Sequence, residues 1–162
     1  MTHPPLDSLA AQLRQDGIAL GDVTGPHDEL RADLARALAE APGEAGVVVL
    51  DATPLHGAQL RDLAQDLQIE TGLDTVLIRT PQLAIGVSED YTRAEIEHAQ
   101  RAMVAEPDYG TGVAQFFATA ESFAVPWGTV GLVVAVVVAL IIATSVLASR
   151  RSGQAPALDT AR

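Results

Sequence analysis

The stretch from Trp127 to Ala148 limits what the rest of this chain can be. It carries no charge and nothing more polar than Thr or Ser. An α-helix rises about 1.5 Å per residue, so roughly 20 apolar residues cross the roughly 30 Å hydrocarbon layer of a bilayer. This stretch meets that length. The rival is a buried core helix, but core helices of small domains are usually shorter and keep a polar face. The stretch is therefore read as a transmembrane helix, residues 125–149. Its membrane anchors are Trp127, Val130, Leu132, Val136, Leu140, Ile141 and Leu147.

The flanks give the span a direction. Arg150 and Arg151 follow it at once, whereas no basic residue lies between Arg101 and the span. Basic residues favour the cytoplasmic side, and an indole such as Trp127 sits well at headgroup level. Arg150 and Arg151 thus set the topology, with residues 150–162 as a short cytoplasmic tail and residues 1–124 as an extracytoplasmic domain. The segment Met1–Leu20 has neither a basic start nor an apolar run, so no cleaved signal is expected. A tail-anchored protein with a cytoplasmic domain is the alternative; it sets Arg150 and Arg151 against the usual bias.

Residues 1–124 suffice for one compact domain. That part holds seven arginines against twenty acidic residues, a net charge of −13. Such a domain is a poor match for nucleic acid, whose phosphates need basic contacts, and it suits a basic protein partner. The chain contains neither Cys nor Lys. Thiol chemistry and thiolate metal sites are excluded, and the domain relies on its core alone.

The pattern along the domain alternates. Leu6, Leu9 and Leu13 mark a first short helix that Gly17 closes, and Ile18–Leu20 is a brief extended segment. A second helix from Asp28 buries Leu30, Leu34 and Leu38 and stops at Pro42-Gly43. The β-branched run Gly46–Asp51 reads as a strand covered on both faces. Thr53-Pro54 leads into a helix with Leu60, Leu63 and Leu67 inward, ended by Thr71-Gly72. Thr75–Arg79 is a second buried strand and Leu83–Val87 a weaker third, near an edge or turn because of Pro81. From Thr92 a helix buries Ile96, Ala99 and Met103. After a loop at Glu106–Gly110, a last helix carries Val113, Phe116, Phe117, Ala120 and Phe123. That stripe either packs on the domain's own core, the commoner outcome, or lies in the bilayer interface. The order predicts an α/β domain of three layers, with a mostly parallel sheet flanked by helices.

Strand ends are where such sheets place ligands. Asp51 is so placed, yet a phospho-acceptor needs further acids and a Lys, and the chain has no Lys. Its plainer role, shared with Thr53, is to cap the next helix. His3, His27, His56 and His98 form no zinc spacing and suit surface or helix-end positions. Asp51, Asp74, Glu89 and Asp90 lie near strand ends or turns and offer oxygen ligands for calcium, without a spaced loop motif. No nucleophile elbow, phosphate loop or paired catalytic carboxylates stand out. The reading is of a non-enzymatic protein without cofactor or metal.

Four segments carry a resemblance: Ala11–Gly17, Val47–Asp51, Leu60–Ala64 and the closing Ala124-Val125-Pro126-Trp127. In order and spacing, from about Leu6 through the span, the chain resembles a family of small single-pass membrane proteins of mycobacteria and corynebacteria. The resemblance implies a receiver-like, TPM-like α/β domain outside the membrane at the division septum. It implies an activator that relieves autoinhibition of a Rip-type, NlpC-type peptidoglycan endopeptidase by binding its coiled-coil segment. The family's contacts are attributed to a helical insertion. Tyr91–Val104 is where this chain departs furthest from the family pattern, and Tyr91, Arg93, Glu95, Glu97 and Arg101 there are the candidate partner-binding residues. Two other functions remain open: a TPM-like phosphatase or calcium-binding domain, and a structural or assembly factor of a membrane complex.

Overall fold

The computed structural model describes residues 6–21, 23–25, 27–51, 56–123, 135–138 and 141. The chain divides into two units, Met1–Ala124 and Val125–Arg162. In the first unit the elements run α1 (Leu6–Asp16), β1 (Ile18–Leu20), α2 (His27–Ala39), β2 (Ala45–Val49), α3 (Gly57–Thr71), β3 (Thr75–Arg79), β4 (Ala84–Ser88), α4 (Arg93–Ala105) and α5 (Tyr109–Phe123).

The strands form one sheet in the order β1-β2-β3-β4. β1 pairs with β2 and β2 with β3 in parallel, with Val47 between Ile18 and Leu77 in register. β4 returns antiparallel to β3, Leu77 facing Gly86. The sheet is thus mostly parallel, as expected, and Pro81 lies in the turn that reverses the chain. In that turn the Thr80 N–H donates to the Leu83 carbonyl at 2.8 Å and the Leu83 N–H to Thr80 Oγ1 at 2.9 Å.

Side chains alternate across a strand, so Val47, Val48 and Val49 serve two cores. Ile18, Val47, Val49, Leu77 and Ala84 meet α2, α4 and α5 on one face. Ala19, Val48, Leu50, Val76 and Ile78 meet α1 and α3 on the other. This is the three-layer arrangement. It has one unusual consequence. β1, β2 and β3 step across the sheet in one direction, yet the connecting helices α2 and α3 lie on opposite faces. The hand of a parallel crossover is set by the step direction and the helix face together, so one of these two crossovers is left-handed, against the strong right-handed rule.

Local chemistry sets the helix ends. Gly72 ends α3 with φ 75°, in the left-handed region where a side chain is costly, and its N–H donates to the Gln68 carbonyl at 2.8 Å. Thr92 caps α4, accepting from the Glu95 N–H, while Glu95 accepts from the Thr92 N–H at 2.6 Å. Two expectations need correcting. The N-cap of α3 is His56, whose N–H donates to Gln59 Oε1 at 3.1 Å, and not Asp51; Thr53 is outside the described residues. The last helix begins at Tyr109, so Gly110 is helical and not part of a loop.

Gly110 is needed where it stands. A Cβ there would lie 2.9 Å from Asp33 Cβ and 3.1 Å from the Asp33 carbonyl carbon. α5 therefore crosses α2 at backbone contact. Gly110→Ala should force the helices apart and destabilise the domain by about 1–3 kcal/mol, as overpacking does, despite the better helix propensity of Ala. Urea unfolding of the two proteins checks this.

Among the described residues no helix is long and apolar enough to cross a membrane. The expected span, residues 125–149, lies outside the described residues apart from Ala135–Val138 and Ile141, which are helical. There Val136, Val137, Val138 and Ile141 are 51%, 49%, 48% and 58% exposed. Successive helical residues are about 100° apart, so this short piece is apolar and exposed on most of its circumference.

Candidate partner-binding surface

The carboxyl ends of β1, β2 and β3 come first, because α/β sheets bind ligands there. Asp51 follows β2 at that end. Its Oδ2 accepts both the N–H and the hydroxyl of Thr24, each at 2.5 Å. The Thr24 hydroxyl and N–H hold this carboxyl below the usual carboxylate range, with His27 adding a smaller favourable field. Asp51 thus ties the β1–α2 loop to the end of β2. A carboxylate with lowered pKa contributes stability above its ordinary pKa near 3.9, and loses it as pH falls through the folded value. Asp51→Asn should cost about 1 kcal/mol at pH 7, since the site is partly exposed. The difference from wild type should shrink as pH falls from the ordinary carboxylate range through the lowered folded pKa of Asp51. Urea unfolding at pH 7 and across the acid range checks it.

The proposed calcium ligands do not converge. Asp74 and Asp90 approach each other around Gly43, at the opposite end of the sheet from Asp51. Asp74 Oδ2 accepts the Glu44 N–H at 2.9 Å, and Ser88 Oγ accepts the Asp90 N–H at 3.1 Å. Among the described residues no group of three His, Asp or Glu is placed to hold a metal ion.

Arg79 closes the end of β3. It is 2% exposed, and no carboxylate pairs with it among the described residues. Its Nη1 donates to the Thr80 carbonyl, and its Nη2 to the carbonyls of Val104 and Glu106 at 3.3 and 3.2 Å. The guanidinium also lies 5.0 Å from the Tyr109 ring centroid. Burial lowers its pKa. Arg79 therefore caps the last turn of α4, where unpaired carbonyls concentrate negative charge, and seats the α4–α5 turn on the sheet.

Two grooves lie among the described residues of this unit. One, of about 490 Å³, runs between the start of β4 and the outer face of α4, past Leu83, Ala84, Glu97, Gln100, Arg101 and Val104. The other, of about 390 Å³, lies between α2 and α5. The family described as membrane protein Rv1476 matches residues 3–158. This chain belongs to that family. No curated protein and no solved structure matched.

The Rv1476 match covers the α/β unit and the apolar stretch together, so the protein is a membrane protein. Within the α/β unit, three candidate residues gather. Arg93 donates to Glu97 at 2.7 Å, and with Arg101 they line the exposed side of α4. That hydrogen bond lowers the pKa of Glu97 and raises that of Arg93. Glu97 and Arg101 enter the wall of the β4–α4 groove. The other two candidates have structural work. Glu95 completes the α4 cap. Tyr91 packs against the core, and burial, then Glu121, Asp90 and Glu95, raise its pKa.

The α2–α5 groove of this Rv1476 family member was not foreseen. Asp33, Glu40 and Asp108 rim it, and Ala37, Gly110 and Ala114 form its floor. It continues past Phe117 and Ala118 to Glu121 through a recess of about 190 Å³. Its sequence signal is the small residues at 110, 114 and 118, one per helical turn of α5.

Proposed function

We propose that this protein is a single-pass membrane protein whose acidic α/β domain stands outside the membrane and activates a cell-wall hydrolase without catalysing a reaction itself. The span is residues 125–149, and Arg150 and Arg151 keep the tail in the cytoplasm. The partner is an NlpC-type peptidoglycan endopeptidase of the Rip type, bound through its coiled-coil segment during cell separation.

One observation carries the anchoring. The family match includes residues 127–148, and Val136, Val137, Val138 and Ile141 stand exposed on a helical piece of that stretch. Apolar surface on most sides of a helix is stable in hydrocarbon and unfavourable in water. The regulatory role is supported by the domain's character. Asp51, the acid best placed for strand-end chemistry, is tied to Thr24. The surface is strongly acidic, since four arginines pair with Glu70, Asp16, Asp33 and Glu97 and a fifth, Arg79, is buried.

A binding domain activates a partner only through differential affinity for its open form. Moving a hydrolase from 1% to 99% open requires roughly 10⁴-fold preference for that form. The test is a pull-down of the endopeptidase with the full-length protein in detergent, paired with a peptidoglycan cleavage assay. Binding together with increased cleavage is expected. No binding and no activation would remove this function.

A further inference from the structure

We infer that the α2–α5 groove is the docking site for a cationic amphipathic helix of the protein partner. This rests on the proposed function and adds to it the contact face and the partner's chemistry.

The groove has the dimensions and lining for a helix. α2 and α5 both start at the carboxyl end of the sheet and run in the same direction, in contact at Gly110 and Asp33. The exposed trough follows α5 from Gly110 to Glu121, about 16 Å at the helical rise. Its floor is Ala37, Ala114 and Ala118, with the edge of Phe117. Small side chains let a third helix come close along its length. Larger ones would fill the trough with the domain's own atoms.

Charge selects the occupant. Asp33, Glu40, Asp108 and Glu121 stand around the trough, and the one basic residue there, Arg36, is paired with Asp33 at 2.9 Å. Glu40 and Glu121 have no arginine partner among the described residues. The Asp108 carboxyl is held low by the Thr111 N–H, to which it is bonded at 2.7 Å, and so remains an anion. An acidic helix or an anionic lipid surface would be repelled. A helix with a small or apolar stripe flanked by Arg and Lys fits, in the helix-in-groove mode. The β4–α4 groove is lined by Arg101 beside Glu97 and lacks this one-sided field.

The experiment titrates the endopeptidase coiled-coil segment into the full-length protein, held in nanodiscs of neutral phosphatidylcholine. Three variants are compared with wild type. Glu40→Arg with Glu121→Arg reverses the rim, and Ala118→Trp blocks the floor. Asp62→Arg with Asp66→Arg makes the same charge change on α3, across the sheet. All five positions are exposed, so folding should survive, and circular dichroism verifies it. The expected result is tenfold or greater weakening for the rim and floor variants, with the α3 variant within twofold of wild type. Binding by wild type that the groove variants leave unchanged, or that the α3 variant weakens as much, overturns this inference alone. No binding by wild type overturns it together with the function on which it rests.

Discussion

Arg79→Ala is expected to lose about 3–5 kcal/mol of stability, among the largest effects of any single change in the α/β domain. The substitution opens a cavity at a fully enclosed site and leaves the carbonyls of Thr80, Val104 and Glu106 without their donor. Losing each of these hydrogen bonds, the one to Thr80 buried and the other two part-buried, costs about 0.5–1.5 kcal/mol, and the lost stem packing adds to it. For a domain of this size that is a fall in melting temperature of roughly 10–20 °C. Arg79→Met separates the causes. It refills much of the volume and removes the desolvation cost of a buried guanidinium that has no carboxylate partner among the described residues, so it should lose less than the Ala variant. Arg79→Lys should also fall short of wild type, because an ammonium offers neither the planar fork nor the stacking face turned toward Tyr109. Thermal melts of the three variants check the order. A loss below 1 kcal/mol for Arg79→Ala would mean that the α4–α5 turn is seated by something else.

Phe116→Ala should cost a similar amount, about 3–5 kcal/mol, for a purely apolar reason. Phe116 is fully enclosed between the sheet and the α2–α4–α5 layer, with its ring edge-on to Phe117 at 5.4 Å. It rests on Gly86: a Cβ at that position would lie 3.0 Å from Phe116 Cζ and 3.2 Å from Leu77 Cδ2. The pair is therefore coupled. Gly86→Ala should destabilise wild type by about 1–3 kcal/mol and cost less in a Phe116→Leu background, where the shorter side chain makes room. A double-mutant cycle by denaturant unfolding measures the coupling. Strict additivity would contradict the close contact.

The Phe stripe was thus legible as core. Phe116 and Phe117 are buried, although the side chain of Phe123 lies outside the described residues. Strands were legible for the same reason: Val47, Val48 and Val49 are all apolar because both faces of β2 are covered. Periodicity reports that a helix has an apolar face. It does not say which side of the sheet that face meets, so the placement of α2 and α3 on opposite faces was not readable. Asp51 illustrates a second limit. Its nearest explanation along the chain was a cap for α3, but its partner, Thr24, precedes it by 27 residues. Pro107 and Gly110 looked like loop residues, and Gly110 proved helical because only a bare backbone fits beside Asp33. Arg79 was legible as the last residue of a buried strand, but its partners were not. The α4–α5 turn that buries it lies 25 residues further on. The candidate partner residues on α4 were found as a group where helical spacing brings 93, 97 and 101 together. The α2–α5 groove depends on two helices distant in sequence, so only its small-residue spacing was visible beforehand.

The absence of cysteine allows a direct test of how the protein stands in the membrane. Asp62→Cys places one thiol on the exposed face of α3, and Ser152→Cys places one in the tail. Intact spheroplasts carrying each variant are treated with a membrane-impermeant maleimide, before and after lysis. An outward α/β domain predicts labelling at position 62 in intact spheroplasts and labelling at position 152 only after lysis. Labelling at 152 in intact cells, with position 62 protected until lysis, would place the domain in the cytoplasm, away from any cell-wall hydrolase.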